Sequence, residues 1–111
     1  LRSTPPTRIK VGEYPYAIAE DVKRKRLFVS NQQESTVSVV SLDTAKEIAK
    51  IPVGDYPEGI AFEDQLQQVY VANWFSNSVS IIDAETLKEI DTIDVGDGAR
   101  AFGKFILYAP Q

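Results

Sequence analysis

The chain repeats itself at a fixed step without a gap, and that limits what it can fold into more than any other feature. The stretch 53–73 opens Val53-Gly54-Asp55-Tyr56-Pro57-Glu58-Gly59-Ile60-Ala61-Phe62 and closes Val69-Tyr70-Val71-Ala72-Asn73. An earlier copy opens Val11-Gly12-Glu13-Tyr14-Pro15-Tyr16-Ala17-Ile18-Ala19 and closes Leu27-Phe28-Val29-Ser30-Asn31. Gly12 to Gly54 is a step of 42 (54 − 12), and Gly54 to Gly96 is the same step (96 − 54).

Each copy predicts four short strands. In the first they fall near 16–20, 26–31, 36–42 and 47–53, and in the second near 58–62, 68–73, 78–83 and 89–95. The breaks between them carry Gly, Pro, Asn and Asp, with Gly as the residue expected to supply positive φ. Neither face of Val69-Tyr70-Val71-Ala72 or Val79-Ser80-Ile81-Ile82 is cleanly polar. A sheet with one wet side alternates strictly, whereas a sheet held between two neighbours need not. A repeat of this length built from short strands is the mark of a β-propeller blade. The fold class expected is therefore all-β, a partial propeller of four-stranded antiparallel sheets, with a plain two-sheet sandwich as the alternative. The first strand of each copy carries small residues (Ala17 and Ala19, then Gly59 and Ala61), as close approach at the centre of a ring requires.

The domain plan follows. Residues 1–7 hold Ser3, Thr4, Pro5 and Pro6 and read as a linker or lead-in; 8–111 form the partial propeller. Within it, 11–52 and 53–94 are full repeats. The segment 8–11 is expected to be the last strand of a preceding blade, and 98–108 the innermost strand of a following one. About six to eight blades close a common propeller, so most of a ring is missing from these 111 residues. The chain starts at Leu1 and holds no Met, which points to an excised or processed segment.

Composition narrows the function classes. Net charge is −4, which argues against nucleic acid as a partner, since phosphate contacts need clustered Lys and Arg. The one basic run, Lys23-Arg24-Lys25-Arg26, reads as the solvated tip of a hairpin, against a nuclear-import or polyanion patch. With no Cys and no His, the segment lacks thiolate chemistry, the commonest general base and the commonest transition-metal ligand. No apolar stretch is long enough to cross a bilayer, and none reads as a signal peptide.

The residues Tyr70-Val71-Ala72-Asn73, with Phe28-Val29-Ser30-Asn31 as a looser copy, resemble the second-strand signature of the YVTN family of β-propeller repeats. Gly54 with Pro57, Ile60-Ala61, and Asn77-Ser78-Val79-Ser80-Ile81-Ile82-Asp83 fit the same pattern, as does the ending Val95-Gly96-Asp97-Gly98-Ala99-Arg100-Ala101-Phe102-Gly103. Ala99 stands where the family usually has Pro, and Ser41 where it has Asp. The resemblance implies an exported bacterial or archaeal protein of the periplasm or cell surface, often a binding component, and it implies no single reaction.

Candidate site residues are few. Trp74 and Phe75 stand out because the first copy has Gln32 and Gln33 there, so the fold does not demand aromatics. Adjacent loop aromatics suit a protein contact or a sugar or quinone-like ring; packing on a neighbouring blade is the competing use. Tyr14 and Tyr56 sit in the crossover loops, where packing is the simpler role, and Arg100 in the third such loop can hold an anion or a salt bridge. Asn31 and Asn73 are expected to bond nearby backbone at a turn. Glu13, Glu34, Asp55 and Asp97 share loop types without matching a calcium loop. No catalytic residues, cofactor or metal ligands are assigned.

The function expected is a non-enzymatic scaffold that binds a protein or small ligand through loops on one propeller face. The alternative is part of a propeller enzyme, lactonase-like or fused to a hydrolase, with its catalytic residues in other blades. Each outer blade would present an apolar face of about 300 Å². The expected outcome is self-association, or completion by further blades.

Overall fold

The computed structural model describes residues 11–12 and 15–95, and the expectations for 8–10, for 98–108, for Tyr14 and for Arg100 lie outside them. Eight strands run in chain order: β1 (Pro15–Asp21), β2 (Arg26–Asn31), β3 (Thr36–Ser41), β4 (Lys46–Pro52), β5 (Pro57–Glu63), β6 (Gln68–Asn73), β7 (Ser78–Asp83) and β8 (Lys88–Asp94). They form two antiparallel sheets, β1-β2-β3-β4 and β5-β6-β7-β8, with no strand shared between them. Every strand lies within a residue or two of its place in the sequence pattern.

The repeat extends to irregularities. The outermost pairing of each sheet shifts register at Val39/Val40 in one and Ile81/Ile82 in the other, 42 residues apart. This leaves Ile48 and Ile90 as the extra, exposed residues of two equivalent bulges. The hairpins also depart from expectation in the same way twice. Positive φ falls on Lys25, Ser35 and Ala45 in the first sheet and on Gln67, Asn77 and Leu87 in the second, not on glycine. Turn geometry at these places is dictated by strand twist and loop length, and the residue adapts to it.

Gly12 and Gly54 serve a different purpose: a Cβ on Gly12 would lie 2.6 Å from Asn31 Cγ, and one on Gly54 would lie 2.7 Å from Asn73 Cγ. The crossover loop therefore passes flush against the asparagine that ends the second strand. Each asparagine is fully buried. Asn31 Nδ2 donates to Thr36 Oγ1 (3.1 Å) and Ser38 Oγ (2.8 Å); Asn73 Nδ2 donates to Ser78 Oγ (3.2 Å) and Ser80 Oγ (2.9 Å). The structural role expected for these residues holds, but the amide bonds hydroxyls on the next strand, not backbone.

The sheets pack on each other through one core. Pairing places Ala17, Ala19, Phe28, Val37, Val39 and Ile51 on one face of the first sheet. Ile60, Phe62, Val69, Val71 and Ile82 share the opposite face of the second. These two sets, with Ala84, form a single buried cluster with Phe62 at its edge. Contact is concentrated where β1 meets β5 and thin where β4 nears β8, so the small side chains of β1 mark the close edge.

Polar bonds cross the same interface. Ser30 Oγ accepts from Ala17 N (3.2 Å) and donates to the Glu58 carbonyl (2.9 Å). Arg26 Nη1 donates to the Ala84 carbonyl at 3.0 Å. Arg24 Nη1 bridges the buried Asp21 carboxylate (2.8 Å) and Gln67 Oε1 (2.5 Å). Two of the four residues in the basic run are thus structural clamps between sheets, which corrects their reading as a merely solvated tip. Lys23 and Lys25 do stay exposed.

Two stability predictions follow from this geometry. Gly54→Ala should cost about 1–3 kcal/mol, because the new methyl collides with a buried amide that has nowhere to go; a shift in urea midpoint measures it. Ala45→Gly should raise stability by up to about 1 kcal/mol by relieving the left-handed residue, read from the same titration.

Candidate functional site

The loop between β4 and β5 and the hairpin between β6 and β7 meet at one end of the second sheet. Backbone bonds hold them together: Trp74 N donates to the Tyr56 carbonyl (3.0 Å) and Phe75 N to that of Asp55 (3.2 Å). Asp55 N donates to Ser76 Oγ at 3.0 Å. Tyr56 takes a positive φ of 58° here, a strained conformation for a bulky residue.

The consequence is an aromatic cluster of three. Tyr56 stacks on Phe75 with ring centroids 4.4 Å apart and planes 16° from parallel. Trp74 is tilted against both, at 5.8 Å from Tyr56 and 5.7 Å from Phe75. Phe75 is 67% exposed, while Trp74 and Tyr56 are half-buried. A large apolar ring thus stands in water on a loop held by backbone bonds, a geometry that suits a flat or apolar partner. The spacing of Trp74-Phe75 announced these two residues; only folding brings Tyr56 under them.

The equivalent place in the first sheet is polar. Gln32 Nε2 bonds Glu58 Oε2 across the sheets at 3.3 Å, and Gln33 is exposed. Glu34 accepts from Thr36 Oγ1 (3.0 Å) and pairs with Lys50 (2.9 Å), so its carboxylate is engaged in holding the loop. Asp55 is exposed beside the aromatic cluster, and Glu13 and Asp97 lie outside the described residues. Among the described residues no group of three or more acidic side chains is arranged to hold a metal ion. No helix of the described residues is long and apolar enough to cross a membrane.

The two four-stranded antiparallel sheets are β-propeller blades, and comparison with solved structures agrees. The chain is similar to hydrazine synthase of Kuenenia stuttgartiensis, with 31% identity and a TM-score of 0.67 over 70% of this chain and 23% of that one. It is similar to apo AztD of Citrobacter koseri, with 18% identity and a TM-score of 0.68 over 79% and 26%. The WD40 repeats of RRP9 match at 16% identity and a TM-score of 0.60 over 68% and 23%. The chain spans about a quarter of the length of these proteins. No protein-family model matches it, and neither does any curated protein.

Replacing Trp74 and Phe75 together by Ala should lower stability by less than about 2 kcal/mol, the loss of exposed ring–ring contacts. A fall of about 3–5 kcal/mol in a denaturant titration would mean that the pair belongs to the core.

Proposed function

We propose that this chain is a binding scaffold of the YVTN kind, in which paired blades hold a rigid aromatic platform toward a protein or a small ring-bearing ligand. The observation that carries it is the stacked Tyr56–Phe75 pair, with Phe75 mostly in solvent and the loop pinned by backbone bonds. Rigid aromatics lose little conformational entropy on binding and offer a large flat contact. The resemblance of Tyr70-Val71-Ala72-Asn73 to the YVTN signature supports placement in the periplasm or on the cell surface.

A second reading has one observation in its favour, the 31% identity to a segment of an enzyme, hydrazine synthase. In that reading the two blades are part of a propeller enzyme, and reacting groups come from elsewhere in it. The described residues supply shape and contact in either case.

Trp74 is the sole tryptophan, so its fluorescence reports directly on the platform. Titration with soluble oligosaccharides, quinones and aromatic peptides should give a saturable change for one of these classes, weakened about tenfold or more by Phe75→Ala, as expected for loss of an anchoring aromatic. A flat response to all three classes would overturn the reading.

A further inference from the structure

The face that packs in the interface in one sheet carries exposed apolar residues in the other. Ile60 is 3% exposed in the interface between sheets, and Ile18, its equivalent 42 residues earlier, is 62% exposed. On the other side Ile51 is 4% exposed and its equivalent Ile93 is 46% exposed. Ala84 is fully buried against the first sheet, while its counterpart Leu42 lies open. The middle of each outer face is buried, at Val29 and Val40 in the first sheet and at Ala72 and Val79 in the second. So each sheet repeats the other's packing face, and its open part is Ile18 and Leu42 on the first sheet and Ile93 and Leu66 on the second.

The polar contacts of the existing interface show what each free face is built to meet. Arg26 donates to the Ala84 carbonyl; the equivalent donor is Gln68 and the equivalent acceptor the Leu42 carbonyl. Gln32 bonds Glu58; the equivalents are Trp74 and Tyr16, an aromatic pair in place of an amide and a carboxylate. Arg24 reaches Gln67; the equivalents are Leu66, which is exposed, and Lys25, whose stem suits an apolar neighbour. Ser30 is replaced by Ala72, so its bond to the Glu58 carbonyl has no counterpart. Two of the other three contacts change toward apolar or aromatic partners, Trp74 with Tyr16 and Leu66 beside the Lys25 stem, and the third keeps a polar donor in Gln68.

We propose that the free face of the second sheet docks on the free face of the first sheet in a second copy of this chain, head to tail, and continues the packing within one chain. Such an interface is heterologous, because two different surfaces meet, and it propagates until a ring closes. The docking shares Trp74 with the aromatic cluster but does not use Phe75, so Phe75→Ala should weaken ligand binding and leave the sedimenting mass unchanged.

The test uses sedimentation velocity on the 111-residue chain at micromolar concentration. The parent should sediment above the 12.3 kDa of one chain. Ile18→Lys and Ile93→Lys, each on a different face, should each reduce it to the mass of one chain. An equal mixture of the two should regain the mass of two chains and no more, because each variant keeps the face that its partner has lost. A parent of one-chain mass, a single variant that retains the parent's mass, or a mixture that stays at one-chain mass would each overturn the proposal. Far-UV circular dichroism checks the fold of each variant. If either variant unfolds, Leu42→Lys and Leu66→Lys, both at exposed positions on opposite faces, replace the pair with the same expected outcomes.

Discussion

The packing of one sheet's apolar face against the opposite apolar face of the next is the contact on which the rest depends. A four-stranded sheet of short strands has no interior of its own, and its backbone ladder contributes little net stability while its side chains stand in water. Here Phe28, Val37, Val39 and Ile51 from one sheet close over Ile60, Val69, Val71 and Ile82 from the other, and the exclusion of water from that layer stabilises both ladders. The interface is asymmetric because each sheet uses a different face, which is what a rotational stack of blades needs and what a symmetric sandwich of two like faces does not. Similarity to propeller structures over most of the described strands agrees with this geometry.

Around that layer, polar groups fix the angle and register of the sheets. Ser30 ties the inner edge, and Arg24 and Arg26 tie the hairpin end, where an Arg can span to a carbonyl or an amide that a shorter side chain would miss. Asp21 is fully buried and would be costly there without the Arg24 guanidinium beside it. The Oδ1 atoms of Asn31 and Asn73 are buried without a hydrogen-bond partner among the described residues, and the same state recurs in both repeats.

The aromatic platform depends on the same framework. Its loops are held at the end of the second sheet by the glycine that lets the crossover lie on Asn73 and by bonds from Trp74 and Phe75 to the crossover carbonyls. The fold tolerates glutamines at the corresponding place, so the rings are an addition to a scaffold that does not need them. Loop residues that a fold does not need are where one fold can take on different functions.

Much of the architecture was legible in the residues themselves. The step of 42, the alternation within strands and the turn-forming clusters placed all eight strands, because strand period and hairpin closure are set by residues near one another in the chain. The glycine–asparagine repeat and the unequal pair Trp74-Phe75 were visible for the same reason. Tertiary structure decided the rest. It placed Arg24 against Gln67 and Arg26 against Ala84, partners 43 and 58 residues away, and no local pattern distinguishes such arginines from a solvated charge run. It set positive φ on Lys25, Ser35 and Ala45, where the twist of the paired strands overrode residue preference. It put Tyr56 beneath Phe75, and it decided which face of each sheet is covered. Equivalent residues such as Ile18 and Ile60 have the same side chain and the same strand position, and they differ only in whether another sheet lies over them.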